Sequence, residues 1–245
     1  MVDNPIPNQV DKLLSFRCRR MMNKGMMITK TIFVLIVICG LSGCATNETV
    51  SPSIGGKSSV IHPADSERHV DIFRGLGGYM SGRAQLQERL SDCGISSTTW
   101  LSAQSGQVAK QILDRRAGGD DSPIVLLGYA VGGGRTRQVA TILKKHGVDV
   151  DATILIDPSF FEPVPSNVRY CFVAYRPEIW QKWNSIMRGN PVKAESDRTV
   201  VVQMNLTEED QQGVLFGESH LTITSNDWVQ EILVYQAAKE TGAGR

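Results

Sequence analysis

The sequence has no excess of either charge. Its 26 Lys and Arg stand against 25 Asp and Glu, a formal net charge of +1 over 245 residues. A chain so balanced carries no broad field to draw in a polyanion, which argues against nucleic acid as a partner. Long apolar runs are missing too. The stretch from Ile32 to Leu41 would rise only about 15 Å as a helix, roughly half a hydrocarbon core, so it does not read as a permanent transmembrane span. Cysteine and histidine number five and four, and nowhere do they fall at metal-ligand spacing, so no metal is expected. The glycines of Val131-Gly132-Gly133-Gly134 are not followed by Lys-Ser/Thr in P-loop register. No G-x-G-x-x-G with a downstream acid occurs either, so no nucleotide or flavin cofactor is expected.

What is present begins at the N-terminus. Residues 17–44 read "RCRRMMNKGMMITKTIFVLIVICGLSGC": cations, then a short apolar run, then small residues, the layout of an export signal. Its end, Leu41-Ser42-Gly43-Cys44, resembles the lipobox of bacterial lipoproteins. That resemblance implies cleavage before Cys44, a lipid on its thiol and membrane attachment through that lipid; a signal peptide without lipidation is the alternative. Ala45 stands where an aspartate would resemble an inner-membrane retention signal. The expected location is therefore the bacterial cell envelope, at the outer membrane facing the periplasm. Met21, Met22, Met26 and Met27 each offer a start giving a more usual signal length than Met1. Cleavage would remove Cys18 and Cys39, leaving Cys93 and Cys171 in an oxidising compartment that permits a bridge without requiring one.

Three segments follow from this reading: a signal peptide over 1–43, a flexible tether over 44–68, and a globular domain over 69–240. The tether is rich in Ser, Thr, Gly and Pro and has little apolar periodicity. In the domain, short apolar runs alternate with amphipathic stretches. Strands are predicted at 70–73, 98–101, 124–127, 152–156, 170–175 and 199–206, and helices at 83–93, 107–116, 135–146, 179–187 and 228–238. Strand-helix alternation predicts an α/β fold, a mostly parallel sheet of about six strands with helices on both faces. Ligands in such sheets sit at the carboxyl ends of the strands.

Three short motifs fall at those ends. Gly128-Tyr129-Ala130-Val131-Gly132 follows an apolar strand, "RGLGG" at 74–78 follows the first strand, and His220 in "GESHLTIT" lies between the last strand and the last helix. Together they resemble the α/β-hydrolase superfamily, particularly its small lipases and esterases. In that family G-x-S-x-G turns from strand to helix and presents the nucleophilic serine. Here Gly128 and Gly132 keep the fixed positions, and Ala130 occupies the nucleophile position. The resemblance implies Leu76 and Val131 as backbone donors of an oxyanion hole and His220 as the general base. It implies Asp157, at the end of the strand after the elbow, as the acid, with Glu178 as the alternative. Arg74 replaces the family's histidine before the glycine loop.

Alanine offers no proton to remove and no oxygen to attack, so acyl-enzyme chemistry through position 130 is excluded. Three readings stay open. The domain binds an acyl or cell-envelope ligand, or a protein partner of unknown identity, without turnover. Or a displaced nucleophile, Ser81, Ser105 or a His220-activated water, acts instead. Or a serine hydrolase carries a deliberate Ser-to-Ala change. A scaffold lipoprotein acting through its surface is the reading from a different class, with Trp180 and Trp183 of "EIWQKW" sharing a helix face as lid, partner dock or core.

Overall fold

The apolar runs assemble into one sheet in the computed structural model, which describes residues 68–159, 162–177, 189–210 and 213–243. The strands are β1 His69–Phe73, β2 Ser96–Trp100, β3 Val125–Tyr129, β4 Val150–Ile156, β5 Val168–Tyr175 and β6 Val200–Asn205. Between them run α1 Arg83–Asp92, α2 Ser105–Ala117, α3 Val131–Lys145, the short α4 Leu206–Glu209, and finally α5 Asp227–Glu240. The strand order is β2-β1-β3-β4-β5-β6, and every neighbouring pair is parallel.

This order reverses direction once. After β1 the chain goes outward to β2, then returns to place β3 on the other side of β1. Loops leaving the carboxyl ends of β1 and β3 therefore part in opposite directions and leave a crevice between them. Those two loops are the glycine turn at Arg74 and the bend at Ala130.

Two apolar layers flank the sheet. On one face Leu86 and Leu90 of α1 and Val229, Ile232 and Leu233 of α5 pack over Ile72, Leu127, Ile154 and Phe172. On the other, Val108 and Ile112 of α2 and Val139 and Leu143 of α3 pack over Phe73, Leu126, Leu155 and Val173. Successive strand residues alternate between the layers, as a strand covered on both faces requires.

Most boundaries shift from the sequence reading by one or two residues, and two of the shifts have a clear physical cause. Helix α3 starts at Val131 rather than Arg135, so Gly132, Gly133 and Gly134 are helical. Each glycine costs about 1 kcal/mol in a helix relative to alanine. Tertiary packing overrides that cost because the helix must begin at the bend and press on the end of β1. Strand β2 lies at 96–100 rather than 98–101, its register set by pairing with β1 from His69↔Ser96 to Phe73↔Trp100. The predicted helix over 179–187 with Trp180 and Trp183, the alternative acid Glu178, the signal segment with Cys44, and the tether up to residue 67 lie outside the described residues.

No disulfide joins Cys93 to Cys171: Cys93 packs on the layer with α1 and α5, and Cys171 is buried in the opposite layer. A bridge would have to pass through the sheet. Burial pushes the Cys171 thiol up to about 12, opposed only in part by its contact with Thr153. Because the thiolate is the reactive form, iodoacetamide should modify Cys93 in the native protein and leave Cys171 unmodified until denaturant is added. Mass spectrometry of the two peptides checks this.

Candidate active site

The bend after β3 holds a side-chain-bearing residue in a strained backbone conformation. Ala130 sits at φ 52° and ψ −122°, a conformation that costs an L-residue roughly 1–3 kcal/mol. Among the described residues only Ala130 and Asp157 (φ 46°) combine positive φ with a side chain, and both stand at this end of the sheet. The bend is held by Ala130 N–H donating to the Ile156 carbonyl and Gly133 N–H donating to the Ala130 carbonyl, each at 3.0 Å. Its glycines are steric necessities. A Cβ at Gly128 would lie 2.7 Å from Gly133 Cα, and one at Gly132 would lie 2.2 Å from the Phe73 carbonyl oxygen.

Val131 opens α3, so its N–H has no acceptor within the helix. The loop after β1 supplies a similar donor. Leu76 is the first residue of a 3-10 turn, Leu76–Gly78, in which Gly77 and Gly78 take φ of 62° and 81°. Gly75 N–H donates to the Tyr79 carbonyl at 2.9 Å and closes the loop. A Cβ on Gly75 would stand 3.0 Å from the Tyr129 ring, so this loop lies directly against the residue that precedes Ala130.

Asp157 follows the last residue of β4 and is 1% exposed. One carboxylate oxygen accepts from the Arg176 backbone N–H at 2.7 Å, and the other meets His220 Nδ1 at 3.1 Å. His220 is itself 3% exposed. The structure thus brings together the two side chains the sequence paired, across 63 positions of chain. With Nδ1 engaged by the carboxylate, Nε2 is the ring nitrogen left to face a ligand. The remaining described histidines do other things. His69 meets Ser96 Oγ at 2.8 Å at the start of the sheet, and His146 is exposed at the end of α3; His62 lies outside the described residues.

Neither serine named as a displaced nucleophile hydrogen-bonds to His220. Ser81 Oγ pairs with Thr224 Oγ1 and Ser105 Oγ donates to Gln138 Oε1, both at 2.9 Å. Ser105 is buried at the head of α2, against a layer opposite to the one that contains Ala130.

Several residues that hold the site escaped the sequence reading. Tyr129 stacks on the His220 ring with centroids 5.4 Å apart and donates its hydroxyl to the His220 carbonyl. Burial, aided by the nearby Asp157 and Tyr79, pushes the Tyr129 phenol well above its usual range, so it stays a donor. Tyr79 donates to the Leu221 carbonyl at 3.0 Å, and the Arg176 guanidinium donates to the Glu218 carbonyl. Three strand ends therefore grip the backbone on either side of His220. No periodicity marks such contacts, because a tyrosine in a buried strand reads as core. Asn226 finishes the loop: its side-chain oxygen caps α5 through the N–H groups of Trp228 and Val229, and its amide donates to Val214 and Glu218. Asn226→Ala is expected to lower stability by about 1–2 kcal/mol, read as a shift of the urea midpoint.

No protein-family model matches the chain, and no curated protein matches it. Among solved structures, a thioesterase of the prodiginine biosynthetic pathway from Streptomyces coelicolor is 12% identical with a TM-score of 0.43, covering 73% of this chain and 92% of its own. An arylesterase is 12% identical with a TM-score of 0.46, covering 73% and 76%. A hydrolase of the alpha/beta superfamily from Xanthomonas campestris is 18% identical with a TM-score of 0.33, covering 69% and 99%. The structural neighbours are thus α/β-hydrolase superfamily members at low identity, and the roles of individual residues rest on this chain's own geometry.

Proposed function

We propose that this protein is a lipid-anchored member of the bacterial cell envelope with an α/β-hydrolase fold, and that it binds an acyl ligand without hydrolysing it. One observation carries the reading: a buried, positive-φ bend places Ala130 directly after Tyr129, whose ring stacks on the His220 of the retained His220–Asp157 pair. Strain at a bend, and a fully buried imidazole–carboxylate pair, are costly features in a domain that used them only as packing. Without an Oγ the acyl-enzyme route is closed. In a serine protease of another fold, loss of the nucleophile lowers turnover about a million-fold.

The surface around the crevice supports an apolar ligand. Large apolar side chains exposed among the described residues are Leu76, Tyr79, Leu101, Val214, Phe216, Leu221 and Val200. All except Val200 sit on loops leaving the carboxyl ends of β1, β2 and β6. Leu101 reaches the glycine turn, where a Cβ at Gly78 would lie 2.7 Å from it, and Tyr79 is tied to Leu221. A rim of this kind around a crevice suits an acyl chain or an interface with lipid. Lipidation of Cys44 would hold the domain at the membrane through the 44–68 tether.

The test is labelling with a fluorophosphonate probe alongside hydrolysis of p-nitrophenyl butyrate. The unchanged protein should do neither, and Ala130→Ser should do both. A folded Ala130→Ser protein that remains inert would refute the reading. Strong hydrolysis by the unchanged protein, lost in Ser81→Ala, would move the chemistry to a displaced nucleophile.

A further inference from the structure

The loop between α4 and α5 is braced so that one aromatic side chain stands in water. Gly213 and Gly217 take φ of 68° and 83° and bound a tight turn. Both carboxylate oxygens of Asp210 pin it, accepting from Val214 N–H at 2.7 Å and from Leu215 N–H at 2.8 Å. Phe216 N–H donates to the Gly213 carbonyl and Glu218 N–H to the Leu215 carbonyl, both at 3.0 Å. The Asn226 amide donates to the Val214 carbonyl. Leu215 is buried in the layer with α1 and α5, while Phe216 beside it is 95% exposed, more than any other large apolar side chain among the described residues.

A bare phenyl ring on a pinned turn is unfavourable in water, and its transfer to an apolar phase is favoured roughly ten- to a hundredfold. Val214 and Leu221 on the same loop are exposed as well, and so is Tyr79, whose hydroxyl donates to the Leu221 carbonyl. Charge and shape narrow the partner. Between 206 and 226 the chain has no Lys or Arg, while Glu208, Glu209, Asp210 and Glu218 are acidic, so this loop does not attract a polyanion. The ring stands at the tip of a turn, whereas a stable protein partner needs about 800 Å² of matched surface on each side. A lipid surface needs no matching shape.

The length of chain ahead of the described residues bears on where such a surface lies. Residues 44–67 follow the lipobox-like segment that ends at Cys44, and they reach about 80 Å when fully extended. β1 begins at the end of the sheet opposite the Phe216 loop, and the longest strand, β5 with 8 residues, spans about 26 Å. The tether is therefore long enough to pass the sheet and leave the loop facing the surface that holds the anchor. A flexible linker of this length keeps that surface at about millimolar effective concentration, so one ring with a few apolar neighbours suffices to engage it. Resting on the lipid-anchored reading above, we propose that the Phe216 turn docks the domain on the bilayer that holds Cys44. The ring enters the acyl chains, and the carboxyl end of the sheet faces the lipid.

Photocrosslinking of the full mature chain, reconstituted through its own anchor into phosphatidylcholine vesicles, tests this. Photoreactive p-benzoylphenylalanine at position 216 should form a lipid adduct, detected by mass spectrometry, at least about tenfold more often than the same group at position 200. Val200 is the control because it is 58% exposed but begins β6 at the other end of the sheet. With the photoreactive group moved to position 221, Phe216→Glu should lower the adduct about tenfold. Phe216 is almost fully exposed, so these replacements leave the core untouched. Equal adducts at 216 and 200, no lipid adduct at 216, a crosslink to a second copy of the chain in place of lipid, or adducts that form only with phosphatidylglycerol would each overturn the proposal. Flotation of the vesicles reads the anchor separately. A chain that floats without an adduct at 216 refutes the docking alone, and a chain that does not float refutes both.

Discussion

Ala130→Ser is expected to raise p-nitrophenyl butyrate hydrolysis by at least about a thousandfold over the unchanged protein, with a ceiling near a million-fold set by what nucleophile loss costs a serine protease. The expected gain is large because the backbone needs no rebuilding. Position 130 already takes φ 52° and ψ −122°, and Gly128 and Gly132 already allow the helix to start at once. Serine adds one oxygen to a residue that is 4% exposed, so the strain in the bend is present before the substitution and is not increased by it. The base is oriented as well: Asp157 fixes Nδ1 at 3.1 Å, and Tyr129 holds the ring from one face. Adding Asp157→Asn to the serine variant should remove most of the gain, as the corresponding change does in a serine protease. An intermediate rate that ignores Asp157 would mean that the new hydroxyl reacts without the imidazole.

Gly132→Ala should destabilise the domain by about 3 kcal/mol or more, read by urea unfolding. Its Cβ would meet the Phe73 carbonyl oxygen at 2.2 Å and the Arg74 carbonyl oxygen at 2.8 Å. Both are backbone atoms at the end of β1, which is fixed between β2 and β3, so neither can swing aside as a side chain could. Gly134 lies on the same helix with nothing within 4 Å of an added Cβ. There alanine should stabilise by several tenths of a kcal/mol, the ordinary helix-propensity gain. Equal effects at the two positions would show that α3 is not pressed on β1 in solution.

Chain order made much of the site legible. Ala130 follows an apolar strand, Asp157 ends the next, and His220 lies before the last helix; in a parallel sheet those positions all emerge at one end. Sequence could not show which acid meets His220 or what supports it. The hydrogen bond from Arg176 N–H to Asp157, the stacking of Tyr129 on His220 and the approach of Gly189, where a Cβ would lie 2.1 Å from Asp157 Oδ1, all join segments far apart in the chain. Such contacts leave no local pattern. Gly189 and Gly134 look alike as letters, yet one abuts a carboxylate and the other faces open space.

The order of elements, the buried strands and the absence of a hydroxyl at position 130 follow from the residues alone, because hydrophobic periodicity and side-chain chemistry are local properties. Packing alone settles that Asp157 and His220 share a hydrogen bond, that the helix begins at Val131, and that Tyr129 stacks on the His220 ring. Each of these depends on how the strand ends converge, and convergence is a property of the packed sheet rather than of any segment within it.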